Sequence, residues 1–320
     1  MNLSQKVLQL LINTRGAISG ESLAEQLKVS RNAVWKAVTT LRNEGFTILA
    51  DTGKGYTLSP DNEALSAEEI EKHLVNKCHT QVFSSLTSTN NYAKTQAETG
   101  AAENTLIIAE GQTEGKGRLG RSFFSPTGSG IYLSLILRPQ FTAENMLYIT
   151  IAAAVAVSRA IDDIFEVQTQ IKWVNDIFLN GKKICGILTE GSFNVETGRP
   201  DYAVLGIGIN IAKPQGDFPA ELRDIAGFIT DKKCTSDLKS RLIAKITDNF
   251  LTLYTSLQNK EYIAEYRRRS CIIGKTVKYT AGNTEFYARV TDIDENARLV
   301  VTDDAGQTRI LSAGEVSVRI

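Results

Sequence analysis

The stretch GKGRLGRSFFSPTGSGIYLSLIL, residues 115–137, decides between two folds. Gly115, Gly117 and Gly120 spell G-x-G-x-x-G, the pattern of a dinucleotide-binding loop. That loop needs a helix directly after its last glycine, so that the helix N-terminus meets a pyrophosphate. Here Ser122, Pro126 and the run Gly128-Ser129-Gly130 intervene, and Ile131 to Leu137 then reads as an apolar strand. The sequence therefore speaks against a Rossmann site. What remains is a glycine loop holding Lys116, Arg118 and Arg121. Glycines let backbone N–H groups approach an anion, and the three cations suit a phosphate. The plainer reading is a solvated basic loop.

Toward the C-terminus, Lys172-Trp173-Val174-Asn175-Asp176 reads as a strand. Asn180-Gly181 between two apolar runs is a strong hairpin signal and would bring Asn175 and Asp176 close to Lys183. A cation beside an amide and a carboxylate suits an anionic substrate with bound Mg²⁺. Gly186, Gly206 and Gly208 lie inside strand-like runs and suggest close approach of a ligand or of another backbone. Thr142 is expected to cap a long helix with Ala152 to Val157 at its core, and residues 237–269 read as one or two helices. From Gly274 to Ile320 short alternating strands are split by turn residues, the pattern of a small SH3-like β-barrel or meander.

Toward the N-terminus, residues 1–60 predict three helices and a hairpin, a winged helix-turn-helix. Ser30 caps a third helix, Arg31 to Glu44, with Val34, Trp35, Val38 and Leu41 at core spacing. The opposite face displays Arg31, Asn32, Lys36, Thr39, Thr40 and Arg42, types that reach phosphates and base edges. Ser22 and the hairpin's Lys54 complete the candidate DNA-binding set. Within 1–60 seven Lys and Arg face four acids, against 36 and 36 in the whole chain of 320 residues. A neutral protein confines any nucleic-acid contact to a local patch. The alternative is a solvated face on a protein-interaction module. Expected boundaries are 1–60 for the winged domain, 61–66 for a linker, 67–270 for a mixed α/β domain and 271–320 for the β domain, an α+β multidomain chain.

No run of about 18 apolar residues would span a membrane, and the first residues lack a signal-peptide pattern, so the expected compartment is the cytoplasm. Cys78, Cys185, Cys234 and Cys271 match no metal or disulfide spacing. The two histidines, His73 and His79, have no ligand cluster near them, which leaves the chemistry to lysine, arginine, carboxylates, amides and backbone donors.

Taken together, Ser88-Thr89-Asn90, Gln112, the loop 115–121, KWVND at 172–176, KKICGIL at 182–188 and GIGIN at 206–210 resemble the bifunctional biotin–protein ligases and biotin-operon repressors of bacteria. Their order and spacing agree over nearly the whole chain. Lys116 stands where arginine is common, Phe123 where tryptophan is, and Val174 where proline is; Lys116 keeps the charge but loses the bidentate fork. The resemblance implies a central domain of the biotin/lipoate ligase type. It also implies a reaction in which biotin and ATP give biotinyl-5′-AMP, and a lysine of the biotin carboxyl carrier protein takes the biotin.

Ser88, Thr89, Asn90 and Gln112 would then hold the ureido ring, with Lys116, Gly117 and Arg118 closing over the intermediate. Lys183 would bind the carboxylate and phosphate. Lys183, Arg118 and Asp176 form the implied catalytic set, with Asp176 orienting Mg²⁺. Gly115, Arg121, Trp173, Asn175 and Asn210 would contact the nucleotide. Operator DNA and a ligand-bound homodimer are the further implied partners, with the loop 115–121 and the segment 206–216 ordering when the adenylate binds. Three rivals are a sensor that no longer catalyses, which would lack Lys183; a ligase with no DNA role; and a lipoate or octanoate transferase, which would lack the winged domain.

Overall fold

The computed structural model describes residues 1–14, 16–142, 145–194, 198–281, 284–312 and 316–319. The chain divides into two compact units, Met1–Val75 with Lys232–Ala244, and Asn76–Asp231 with Lys245–Ile320.

In the first unit, α1 (Leu3–Asn13), α2 (Gly20–Leu27) and α3 (Arg31–Asn43) begin at Asn2, Ser19 and Ser30, whose side chains accept from backbone N–H groups of the first turn. The hairpin of β1 (Ile48–Asp51) and β2 (Gly55–Leu58) follows. Val7, Leu8, Leu11, Leu23, Val34, Val38, Leu41 and Ile48 form one buried cluster. Ile18 exchanges both backbone hydrogen bonds with Tyr56. Gly55, at φ +109°, lies so close to Ile18 that any Cβ would overlap its carbonyl, so glycine is required there.

Trp35 departs from expectation. Its neighbours Val34 and Ala37 take the core, and the indole is 55% exposed. Residues 61–66 also differ from a plain linker. Asn62 is buried, accepts from Thr47 N at 3.0 Å and donates to Ser236 Oγ at 3.0 Å, while Lys239 Nζ donates to the Glu63 carbonyl at 2.6 Å. Helix α4 (Ala67–His73) follows, capped by Ser66.

The second unit is built on a seven-stranded sheet of order β3-β4-β5-β9-β8-β7-β6. Its strands are β3 (His79–Phe83), β4 (Thr105–Ala109), β5 (Gly130–Leu137), β6 (Gln170–Lys172), β7 (Asp176–Leu179), β8 (Lys182–Phe193) and β9 (Pro200–Asn210). Among the described strand pairs of this sheet, β3 and β4 run parallel and the rest antiparallel. Helix α5 (Thr89–Glu98) packs on β4, β5 and β9, and α6 (Met146–Phe165) packs on β6, β7 and β8. All eight residues of β5 are buried, as is most of β9. Because Gly206 to Asn210 belong to this central strand, the expected ligand-ordered segment 206–216 is in that part already a fixed strand.

Two local expectations are corrected. Helix α6 starts at Met146 with Asn145 at its cap position and no capping side chain, so Thr142 does not cap it. KWVND is not one strand: β6 ends at Lys172, β7 begins at Asp176, and a turn joins them. Asn180 and Gly181 do form the tight hairpin, at φ 51° and 77°.

Helices α7 (Ser236–Thr255) and α8 (Tyr262–Arg268) precede the last region. There five antiparallel strands, β10 (Thr276–Ala281), β11 (Thr284–Ile293), β12 (Leu299–Thr302), β13 (Thr308–Leu311) and β14 (Val316–Arg319), lie in the order β13-β12-β11-β10-β14. Among the described residues this is an open sheet, with no pairing that closes a barrel.

Candidate active site

One cleft gathers the N-terminus of α5, the loop after β4, the β6–β7 turn and the middles of β8 and β9. Its lining includes Ser88, Thr89, Asn90, Gln112, Lys116, Gly117, Arg118, Arg121, Trp173, Asn175, Asp176 and Lys183. Of the predicted ligase residues, Gly115 and Asn210 lie outside that lining. A Cβ at Gly115 would press on the Phe123 carbonyl and Ser125. Asn210 donates to the Gly227 carbonyl at 3.0 Å.

The polar end is built on α5. Ser88 caps the helix, accepting from Asn91 N at 3.4 Å. Gln112 Oε1 accepts from Thr89 N at 2.8 Å and from Thr89 Oγ1 at 3.1 Å, and its amide nitrogen donates to Ser125 Oγ at 3.0 Å. Asn90 is 4% exposed and committed to the fold. It accepts from Ser134 Oγ at 2.7 Å and donates to Glu190 Oε2 at 2.8 Å. Gly206 makes room for it, since a Cβ there would overlap Asn90 Oδ1. Asn90 thus sets the position of its neighbours through contacts within the protein.

The other end is cationic. Lys116, Arg118, Arg121, Lys172 and Lys183 line the cleft, with Asp176 as the carboxylate among its lining residues. Lys183 Nζ lies 2.6 Å from Asp176 Oδ1. Arg118 Nη1 donates to Asn175 Oδ1 at 3.3 Å, and Lys116 Nζ to Asn91 Oδ1 at 2.8 Å. Burial lowers the Arg118 guanidinium from its ordinary value, and Asp176 opposes the shift. Burial likewise lowers Lys172, again against Asp176, with Lys183 and Arg121 adding to the fall. Cations held down by burial and by one another are electrostatically poised to receive an anion. The loop carrying three of them is zipped at its base, with Gly117 N donating to the Arg121 carbonyl at 2.7 Å and Phe123 N to the Gly115 carbonyl at 2.8 Å.

Sequence reading assigned Phe123 and Glu190 no role. The Phe123 ring is what the strand glycines admit: a Cβ at Gly208 or Gly186 would press into it. The close approach read from those glycines is therefore made by a side chain. Lys183 Nζ lies 5.9 Å from the ring centroid. Glu190 anchors Asn90 and pairs with Lys94 at 2.7 Å. Burial pushes its carboxyl up, but the hydrogen bonds from Lys94 and Asn90 outweigh burial and hold it below the ordinary value. An acid inside an apolar strand was the available signal.

On α3, Arg31, Asn32 and Lys36 are exposed, as is Lys54 at the hairpin turn. The four other predicted DNA-contacting residues bond inside the fold. Thr39 Oγ1 donates to the Trp35 carbonyl at 2.9 Å and Thr40 Oγ1 to the Lys36 carbonyl at 3.1 Å. Arg42 Nη2 donates to the Ile48 carbonyl at 2.6 Å. Ser22 Oγ accepts from Gln26 at 3.1 Å.

Residues 82–210 match the model of the biotin/lipoate A/B protein ligase family, residues 4–57 an HTH domain, and residues 272–319 the biotin protein ligase C-terminal domain. The bifunctional ligase/repressor BirA of Bacillus subtilis is 35% identical over 302 residues, 92% of either chain. The chain belongs to this ligase/repressor family. The bifunctional ligase/repressor BirA of Escherichia coli is 29% identical over 98% of this chain and 96% of its own length. Among solved structures, the biotin protein ligase of Aquifex aeolicus in complex with biotin and ATP superposes with a TM-score of 0.63 at 28% identity. It covers 75% of this chain and 98% of its own.

Proposed function

We propose that the chain is an ATP-dependent biotin–protein ligase that also represses transcription, with biotinyl-5′-AMP as the signal. The observation that carries the ligase reading is the cleft itself. Arg118, Arg121, Lys172 and Lys183 gather about Asp176 at one end, and a polar Ser88-Thr89-Gln112 corner, with Lys116 bonded to the neighbouring Asn91, closes the other. An acid with a polar ring and a triphosphate fit those two ends. The biotin carboxylate attacks the α-phosphorus of ATP; an O–P bond forms and the bond to the β-phosphate oxygen breaks, releasing pyrophosphate. An acceptor lysine amine then attacks the acyl carbon, an amide forms and AMP leaves.

Lys183 offers preorganised positive charge where the carboxylate and phosphate meet, and Arg118, bonded to Asn175, closes over the adenylate once it has formed. Ser88 donates its hydroxyl to the ureido ring, while Gln112 holds the start of α5 in place. Asp176, as the carboxylate in the cleft lining, would hold a Mg²⁺ brought with the nucleotide, and the ion would supply charge neutralisation to the phosphates. No cluster of three His, Cys, Asp or Glu side chains suited to a metal occurs among the described residues. The carrier protein is the acceptor of biotin. The C-terminal strands are read as an SH3-like unit beside the cleft domain, whose Ala297 carbonyl accepts from Trp173 Nε1 at 2.9 Å.

The repressor reading rests on the exposed Arg31-Asn32-Lys36 face of α3 and on the HTH match over residues 4–57. A dimer that presents two such helices to a palindromic operator is the expected binding form. The ligase test incubates the protein with labelled biotin, ATP, Mg²⁺ and a biotin carboxyl carrier domain. Acid-stable label on the carrier is expected; its absence overturns the reading.

A further inference from the structure

The DNA-facing side of α3 carries fewer free readers than its composition suggests. Thr39 and Thr40 spend their hydroxyl protons on carbonyls of their own helix, and Arg42 spends its guanidinium on the Ile48 carbonyl. A recognition helix reads bases mainly from its N-terminal half. In the first two turns of α3 the exposed residues are Arg31, Asn32, Trp35 and Lys36. Trp35 is the largest of these and the one without charge or amide. At 55% exposure, it places an indole on a surface where an apolar side chain gains nothing from water. The flanking cations Arg31 and Lys36 suit a polyanion. A protein partner would favour a broader apolar patch, and the side chains around Trp35 on this face are polar.

We propose that Trp35 is a base-reading residue, which packs its indole against a thymine 5-methyl group in the major groove. The inference rests on the repressor reading above and adds to it the chemistry of one contact. The thymine methyl is the one apolar group that a base pair presents in the major groove, and side chains meet it by apolar contact. Trp35 then supplies specificity, while Arg31 and Lys36 supply charge to phosphates.

The test uses the full chain with biotin and ATP, and a duplex recovered from a randomised pool by that same mixture. Each thymine of the duplex is replaced in turn by uracil, which removes only the methyl. Affinities are read by fluorescence anisotropy for the natural chain, Trp35→Ala and Trp35→Phe. At one thymine in each half-site the natural chain is expected to lose about fourfold, the worth of one buried methyl group. Trp35→Ala is expected to bind the unmodified duplex roughly tenfold more weakly, within the range of one lost base contact. It should then be indifferent to uracil at that position, while Trp35→Phe keeps part of the sensitivity.

The slope of affinity against salt should not change in either variant, because no phosphate contact is lost. Adenylate synthesis should also be unchanged. With two tryptophans in the chain and Trp173 only 5% exposed, duplex binding should quench and shift chiefly the Trp35 emission. Equal affinities and equal uracil responses in all three proteins overturn the inference. A Trp35→Ala that changes the sedimentation of the protein but not its DNA affinity overturns it in favour of a protein contact. If the natural chain binds no duplex, the repressor reading falls and this inference with it; a natural chain that binds the duplex no more tightly than Trp35→Ala does sinks the inference alone.

Discussion

At the scale of single residues, Lys183 carries the sharpest expectation. Its ammonium is the partner of Asp176 and sits where the cleft's charge is densest. Lys183→Ala should slow adenylate formation by about 10²–10³, the usual effect of removing one preorganised electrostatic donor. The fold should survive, because Asp176 still interacts with Arg118 and Lys172. Single-turnover synthesis of the adenylate checks the first point and a urea melt the second. Gly206 makes the opposite prediction. Gly206→Ala pushes into Asn90 and should cost about 1–3 kcal/mol of stability, the scale of core overpacking, with weakened biotin binding as Ser88 and Thr89 shift. Glu190 adds a pH dependence. Its folded pKa lies below the ordinary 4.5, so its contribution is present above that value and is lost as pH falls through the folded pKa. Stability should decline on acidification below about pH 5, and Glu190→Gln should flatten that decline in denaturant midpoints measured across the range.

At the scale of elements, the loop 115–121 is a hairpin-like strap with cations on it. Leu119 and Gly120, both at positive φ, form its tip, and Arg118 ties it to Asn175 across the cleft. Arg118→Gly removes that tie and adds backbone freedom. It should leave synthesis of the adenylate largely intact and speed its escape, read as stray labelling of bystander lysines; unchanged bystander labelling would assign retention to another element. The cleft was legible in sequence because its chemistry sits in short runs of distinctive residues, such as GKGRLGR and the Asn-Gly hairpin before Lys183. Elements whose identity depends on rotation or distance were less so. Val34 and Trp35 are adjacent and both apolar, and a helix can turn only one of them fully into the core. Asn62 looks like linker composition, yet one partner, Ser236, lies 174 residues away. KWVND looked continuous because β-rich residues flank a turn whose geometry the residue types do not announce.

At the scale of the whole molecule, the two proposed activities meet in one thermodynamic cycle. The HTH core of Val7 to Ile48 closes on itself, and the cleft lining falls between Ser88 and Gly208, so the DNA-facing and ligase sites are separate sets of residues. One winged helix touches few phosphates, and unassisted binding should stay near the non-specific Kd of ~10⁻⁴–10⁻⁶ M at physiological salt. Two helices on a palindrome do better, provided that ligand favours the paired state. A ligand shifts that equilibrium only by its differential affinity for the two states. On the proposed reading the anion of the adenylate would supply such a difference, with the strap's Lys116 and Arg118 binding its phosphate. With a typical coupling of ~1–3 kcal/mol, biotin plus ATP should tighten operator binding about 5–150-fold. By reciprocity, operator DNA should tighten adenylate binding by the same factor. Removing residues 1–60 should abolish DNA binding and leave a chain that still forms the adenylate. Anisotropy titrations at several salt concentrations, with and without biotin and ATP, test the coupling. Equal affinities in both conditions would separate the two activities and leave the ligase without a biotin-controlled operator.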